Sequence, residues 1–80
     1  MGKEIFIIVN YDSAEIEYAS ENYINVQEVL YDSYMENLYY EFLWHINYEG
    51  KTAAEAYQEA VKLVQPWFRD YIVVEKVVLD

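Results

Sequence analysis

The single histidine, His45, stands between Glu41 and Glu49, four residues away on each side. Residues four apart share one face of a helix, so the triplet would present an imidazole between two carboxylates. Such a set can hold zinc or serve general acid–base chemistry. The spacing arises in any acidic helix, however, and zinc needs a further ligand or an open position. The plainer expectation is a surface histidine beside carboxylates.

Other catalytic sets do not assemble. Glycine occurs only at Gly2 and Gly50, which leaves no phosphate-cradling loop. Ser13, Ser20 and Ser33 lie in turn-like or polar helical contexts, not in a nucleophile elbow. Cysteine is absent, and with it thiolate chemistry and a disulfide framework. The acids do not follow calcium-loop spacing. A carboxylate pair for sugar hydrolysis needs a cleft, for which 80 residues leave little room. The sequence therefore predicts a protein that is not an enzyme and uses no cofactor and no metal.

Charge is more informative. Fifteen acids face five bases, a formal net charge of −10. No Lys or Arg occurs from Glu4 to Gly50, a stretch that holds Glu15, Glu17, Glu28, Asp32, Glu36 and Glu41 among its acids. The bases Lys3, Lys51, Lys62, Arg69 and Lys76 all lie outside it. Nucleic acids and anionic membranes recruit Lys and Arg. Direct nucleic-acid binding and membrane association are thus disfavoured, and a protein with a basic nucleic-acid-binding groove is the favoured partner.

Glu28, Asp32 and Glu36 recur every four residues, with Glu41 nearby. Like charges at that spacing destabilise a helix by about 0.2–0.5 kcal/mol per pair, and no base relieves them. The row reads either as a solvated polar face or as carboxylates imitating backbone phosphates. Ten tyrosines pose a second question. Leu30, Tyr34, Leu38 and Phe42 form a core stripe, which leaves Tyr39, Tyr40, Leu43 and Trp44 partly outside it. Tyr31, Tyr39, Tyr40 and Trp44 would then anchor a partner, or a second copy in a homodimer. The alternative is a tyrosine-rich core whose hydroxyls reach water.

The elements that must position these residues follow from period and caps. Glu4–Tyr11 reads as a central strand. Ala14–Ala19 alternates, with Glu15 and Glu17 on an acidic outer face and Ile16 and Tyr18 inside. The short connection makes the two a hairpin. Asn25 caps a helix over Val26–Tyr48 with Glu28 at its third position, and Gly50 stops it. Thr52 caps a second helix from Ala53 to about Val64 with Glu55 at its third position, and Pro66 interrupts it or starts a short extra turn. Asp70–Leu79 reads as the last strand. The prediction is one α+β domain over residues 1–80, β-β-α-α-β, with an antiparallel sheet packed on two helices. An apolar content of 55% separates it from disordered acidic chains. No membrane-length apolar run and no leader pattern occur, and Phe6 stands where myristoylation wants Ser or Thr. Cytoplasmic residence is expected.

The base-free acidic segment, the Glu28-Asp32-Glu36 row and the interleaved tyrosines resemble the small acidic proteins of phages and mobile elements, the anti-CRISPR and anti-restriction DNA mimics. The resemblance is compositional, with no alignable motif, so no residue role transfers. It implies an inhibitor that blocks a CRISPR effector complex or a restriction nuclease by filling its DNA site, in the host cytoplasm. Two rivals share these features: an immunity protein or antitoxin for a basic toxin, and a homo-oligomeric interaction module.

Overall fold

Side chains of a strand alternate between its two faces, and that alternation in the N-terminal strand decides where the helices lie. The computed structural model describes residues 2–79. Its elements are β1 (Lys3–Asn10), β2 (Glu15–Ser20), α1 (Tyr23–Glu49), α2 (Ala53–Asp70) and β3 (Ile72–Leu79), the expected α+β order. The sheet is antiparallel, in the order β2-β1-β3. Phe6 and Ile8 of the central strand meet Val26, Val29 and Leu30 of α1, with Ile72 and Val74 of β3 beside them. Ile5, Ile7 and Val9 alternate onto the other side. No helix among the described residues is long and apolar enough to cross a membrane.

The helices form an antiparallel hairpin that overruns the sheet. At 1.5 Å per residue α1 is about 40 Å long, whereas an eight-residue strand spans about 26 Å; the molecule measures 56 × 22 × 14 Å. The first half of α1 rests on the sheet through Val26, Val29 and Leu30. The second half rests on α2, where Tyr34, Leu38 and Phe42 pack against Ala60 and Val64. At 100° per residue these two seams lie about a third of a turn apart. That rotation explains why α1 reads as apolar nearly all round. Ala56 and Ala60, fully buried on α2, let the two backbones approach closely.

Three local expectations are corrected. The first helix is capped by Asn22, not Asn25. Asn22 Oδ1 accepts from the Ile24 N–H at 2.9 Å, and Tyr23 stacks at a tilt on Phe6 with centroids 5.1 Å apart. This contact extends the helix three residues upstream, so Glu28 is no capping residue. Pro66 does not end α2, which runs to Asp70. A mid-helix proline costs about 3 kcal/mol, and it is offset because Trp67 and Phe68 beyond it pack on the core. Finally, β2 is bulged. Ile8 pairs with Tyr18 but Val9 pairs with Ile16, so the register slips at Glu17. Tyr18 faces the helices, whereas Ile16 turns to the far side and is 65% exposed. Glu15, opposite Asn10, and Glu17, bonded to the Asn10 side chain at 3.2 Å, stand on the helix side rather than on an acidic outer face.

The Gly50 stop and the Thr52–Glu55 capping box form as expected. Gly50 and Lys51 both donate N–H to the His45 carbonyl, closing α1 in a left-handed cap. The β1–β2 turn is held by Asn10 Oδ1, which accepts from Asp12 N–H and Ser13 N–H. It also forces Ala14 to φ 59°, a conformation that disfavours a Cβ. Two substitutions of opposite sign follow. Ala14→Gly raises stability by up to about 1 kcal/mol, and Gly50→Ala lowers it by about 1 kcal/mol. The second effect is of the backbone alone, since a Cβ at Gly50 meets no atom within 4 Å. Urea unfolding of both variants reads the signs; a loss of stability in Ala14→Gly would refute the strain at the turn.

Candidate protein-binding surface

Helical spacing of four residues places Glu28, Asp32, Glu36, Tyr40, Trp44 and Tyr48 on one ridge, each step rotated about 40° from the last. All six side chains are exposed. Three carboxylates therefore run without a break into three aromatic rings along some 30 Å of helix, at 1.5 Å per residue. Where the aromatic part begins, α1 has passed beyond the sheet, so no element among the described residues covers it. Trp44 and Tyr48 lie with ring centroids 6.0 Å apart. Tyr31 and Tyr39 stand beside the carboxylates, and Glu28, Tyr31 and Asp32 line one shallow depression.

The carboxylates of the ridge have no cationic partner among the described residues. Each base is engaged elsewhere: Lys3 with Glu21, Lys51 with Glu49, Lys62 with Glu59, Arg69 with Asp70 and Lys76 with Glu4. Five of the protein's acids are thereby matched and the ridge is left uncompensated. Of the ten tyrosines, only Tyr18 and Tyr34 are half-buried and the rest are exposed. That distribution excludes the tyrosine-rich core as their main use.

The ten residues expected to bind a partner are thus only partly brought together. Glu28, Asp32, Glu36, Tyr40 and Trp44 share the ridge, and Tyr31 and Tyr39 flank it. Glu15 and Glu17 lie on β2, the edge strand against which α1 packs. Glu41 turns away from the row toward His45. Sequence reasoning missed Met35 and Tyr57, which with Leu38, Tyr39 and Phe42 line an apolar groove between the helices. Tyr57 adjoins the buried Ala56, so the Ala56–Ala60 spacing was the signal that it borders the inter-helix seam.

His45 is buried, 4% exposed, and not a surface residue. The overrunning half of α1 turns it toward α2. Its Nδ1 donates to Glu49 Oε1 at 2.6 Å, and Trp44 meets the ring edge-on at 5.2 Å. Nε2 has no hydrogen-bond partner among the described residues, and the Glu41 carboxylate stands 3.8 Å away. The two carboxylates flank opposite ring nitrogens and so do not converge on one ion. Among the described residues no group of three or more His, Cys, Asp or Glu is placed to hold a metal.

The Lys51 ammonium, first, and the His45 ring hold the Glu49 carboxyl below the usual carboxylate range, against partial desolvation that pushes it up. A depressed carboxylate stabilises the fold above its unfolded pKa, and that contribution is lost as pH falls through the folded value. Glu49→Gln therefore melts below wild type at neutral pH, and the gap closes on acidification below the carboxylate range. A gap of the same size at acid pH would show that the Glu49 contacts act by packing rather than charge.

Comparison with protein-family models, curated proteins and solved structures finds no match to this chain.

Proposed function

We propose that this chain is a protein inhibitor that occupies the basic groove of a nucleic-acid-binding protein, such as a CRISPR effector complex or a restriction nuclease. The reading is supported above all by the ridge on α1, where uncompensated carboxylates continue into exposed aromatics. Glu28, Asp32 and Glu36 meet Lys and Arg that otherwise hold phosphates, which speeds encounter and sets salt dependence. Tyr40 and Trp44, with Tyr39 next to Tyr40 and Tyr31 next to Glu28 and Asp32, supply the desolvated anchors that slow release. Glu15 and Glu17 extend the negative field from the neighbouring strand. A negatively charged surface of this kind gives the protein itself no means of holding DNA or RNA.

The groove lined by Met35, Leu38, Tyr39, Phe42 and Tyr57 favours a second reading, in which an aromatic wedge blocks a protein–protein site without mimicry. The two differ in salt response. Wild type and the triple variant Glu28→Lys, Asp32→Lys, Glu36→Lys are immobilised side by side. Nuclease-treated bacterial lysate is passed over both near physiological salt, where the Debye length is about 8 Å. Mimicry predicts that wild type alone retains nucleic-acid-binding proteins, released as salt rises, and that the triple variant binds the captured protein about a hundredfold or more weaker. The wedge predicts equal retention by both, little salt response, and a loss of roughly 2 kcal/mol or more on Tyr39→Ala or Tyr57→Ala. Retention of the same partner by both columns, at equal affinity in low salt, refutes the mimic.

A further inference from the structure

Both helices lie on one face of the sheet, and no element among the described residues covers the other. Alternation and pairing assign that open face. Ile5, Ile7 and Val9 of β1 stand beside Val73 and Val77 of β3, and the bulge brings Ile16 of β2 next to Val9. None of these six joins the buried clusters on the helix side. Lys3 and Glu75 are the charges in this register, one of each sign, and Leu79 completes the end of β3 at 47% exposed.

We propose that this face packs against the same face of a second copy, so that two sheets join back to back and the helical layers point outward. Three observations select this occupant. The first is chemistry. Within the strands the face is aliphatic and mostly β-branched, and among its described strand residues there is no tyrosine, tryptophan or arginine, the residues that concentrate binding energy at exchangeable interfaces. Homodimer interfaces are the more apolar class, and the aromatic surface of this protein lies on the opposite layer. The second is charge. With a net charge of −10 per chain, two copies repel wherever acids face each other. On the open sheet face Lys3 is matched by Glu21 and Glu75 alone is left over, so this is where two copies meet with the least repulsion, and it offers a basic partner little to attract it.

The third is area. Strands of eight, six and eight residues, about 4.8 Å apart and about 3.4 Å per residue, give a footprint of roughly 350 Å² per copy. Two copies cover about 700 Å² in flat projection, which with the corrugation of branched side chains suits a small interface below the about 1,200–2,000 Å² of stable specific complexes. The association is therefore reversible and concentration dependent. Edge-to-edge pairing of β3 with its own copy is disfavoured. A twofold axis normal to the sheet pairs residues of equal parity, and the centred registers set Glu75 against Glu75 or Lys76 against Lys76. Like charges directly opposite destabilise a strand pair.

The test is sedimentation equilibrium of wild type and Ile16→Lys over about three decades of concentration. Ile16 is already 65% exposed in the single chain, so the substitution leaves the fold intact, and far-UV circular dichroism checks this. Wild type is expected to pass from one chain mass to two as concentration rises. Ile16→Lys removes two isoleucines from each dimer and raises its dissociation constant about a hundredfold, each tenfold corresponding to about 1.4 kcal/mol. Ile7→Thr, which keeps a branched β-carbon in the central strand, shifts it in the same direction. A wild type that stays monomeric throughout overturns the proposal and leaves the face to a different protein. A dimer that ignores Ile16→Lys and Ile7→Thr but dissociates on Tyr40→Ala also overturns it. The proposal is independent of the inhibitory role: Glu28, Asp32 and Glu36 lie on the helical side, so their reversal is expected to leave the dimer unchanged.

Discussion

The helix hairpin is longer than the sheet that carries it, and most other features of this molecule follow from that mismatch. A helix laid on a sheet can bury one stripe. Once α1 passes the end of β1 it has no sheet below it, so it must turn a different stripe toward its only remaining support, α2. Leu38 and Phe42 are thus rotated away from Val26 and Leu30 by about a third of a turn. The same rotation buries His45, because position 45 belongs to the second seam and not the first. It also leaves Tyr40, Trp44 and Tyr48 over open space, at azimuths that the sheet would cover if the strands were longer.

Small residues on α2 make this arrangement possible. A two-helix layer without a third partner has little apolar area to bury, and close approach is the way to increase contact per residue. Ala56 and Ala60, both fully buried, allow Leu38 to reach Val64 across the seam. The hairpin is tied at its far end by local bonding: the left-handed Gly50 cap, the Thr52–Glu55 box, and the Glu49–Lys51 and Glu49–His45 contacts. Distant from the sheet, these local interactions fix the end of the hairpin where tertiary packing is thinnest.

Much of the fold was legible because it rests on local signals. Strand alternation, the Gly50 stop and the Thr52–Glu55 box each act within a few residues, and the β-β-α-α-β order follows from them. What was hidden depends on contacts distant in sequence. Asn25 reads as well as Asn22 as a cap until Tyr23 is seen to meet Phe6. Pro66 reads as a stop until Trp67 and Phe68 are seen on the core. The bulge at Glu17 has no residue of its own to announce it, yet it moves Ile16 and the carboxylates of Glu15 and Glu17 to the opposite sides of the sheet from those that strict alternation gives. The carboxylate row was legible as a spacing. That no base reaches it was not, since no local signal bars Lys62, Arg69 and Lys76 from folding onto α1, and they instead pair within their own neighbourhoods.

The two sides of the molecule consequently offer different physics. On the helical side, charge is uncompensated and dispersed along about 12 Å of helix between Glu28 and Glu36, at 1.5 Å per residue. Such a surface repels its own copy and attracts a basic groove, with a range set by salt. On the sheet side, charge is nearly absent and contact is short-ranged and apolar. Interactions on the two sides therefore respond to different variables, ionic strength on one and concentration and temperature on the other. In a chain of 80 residues the two surfaces are separated by sheet face. Alternation along a strand puts neighbouring residues such as Ile7 and Ile8 on opposite sides of the sheet. Substitutions at Ile7 on the open sheet face and at Asp32 on the helical side consequently act through different surfaces and different solvent variables.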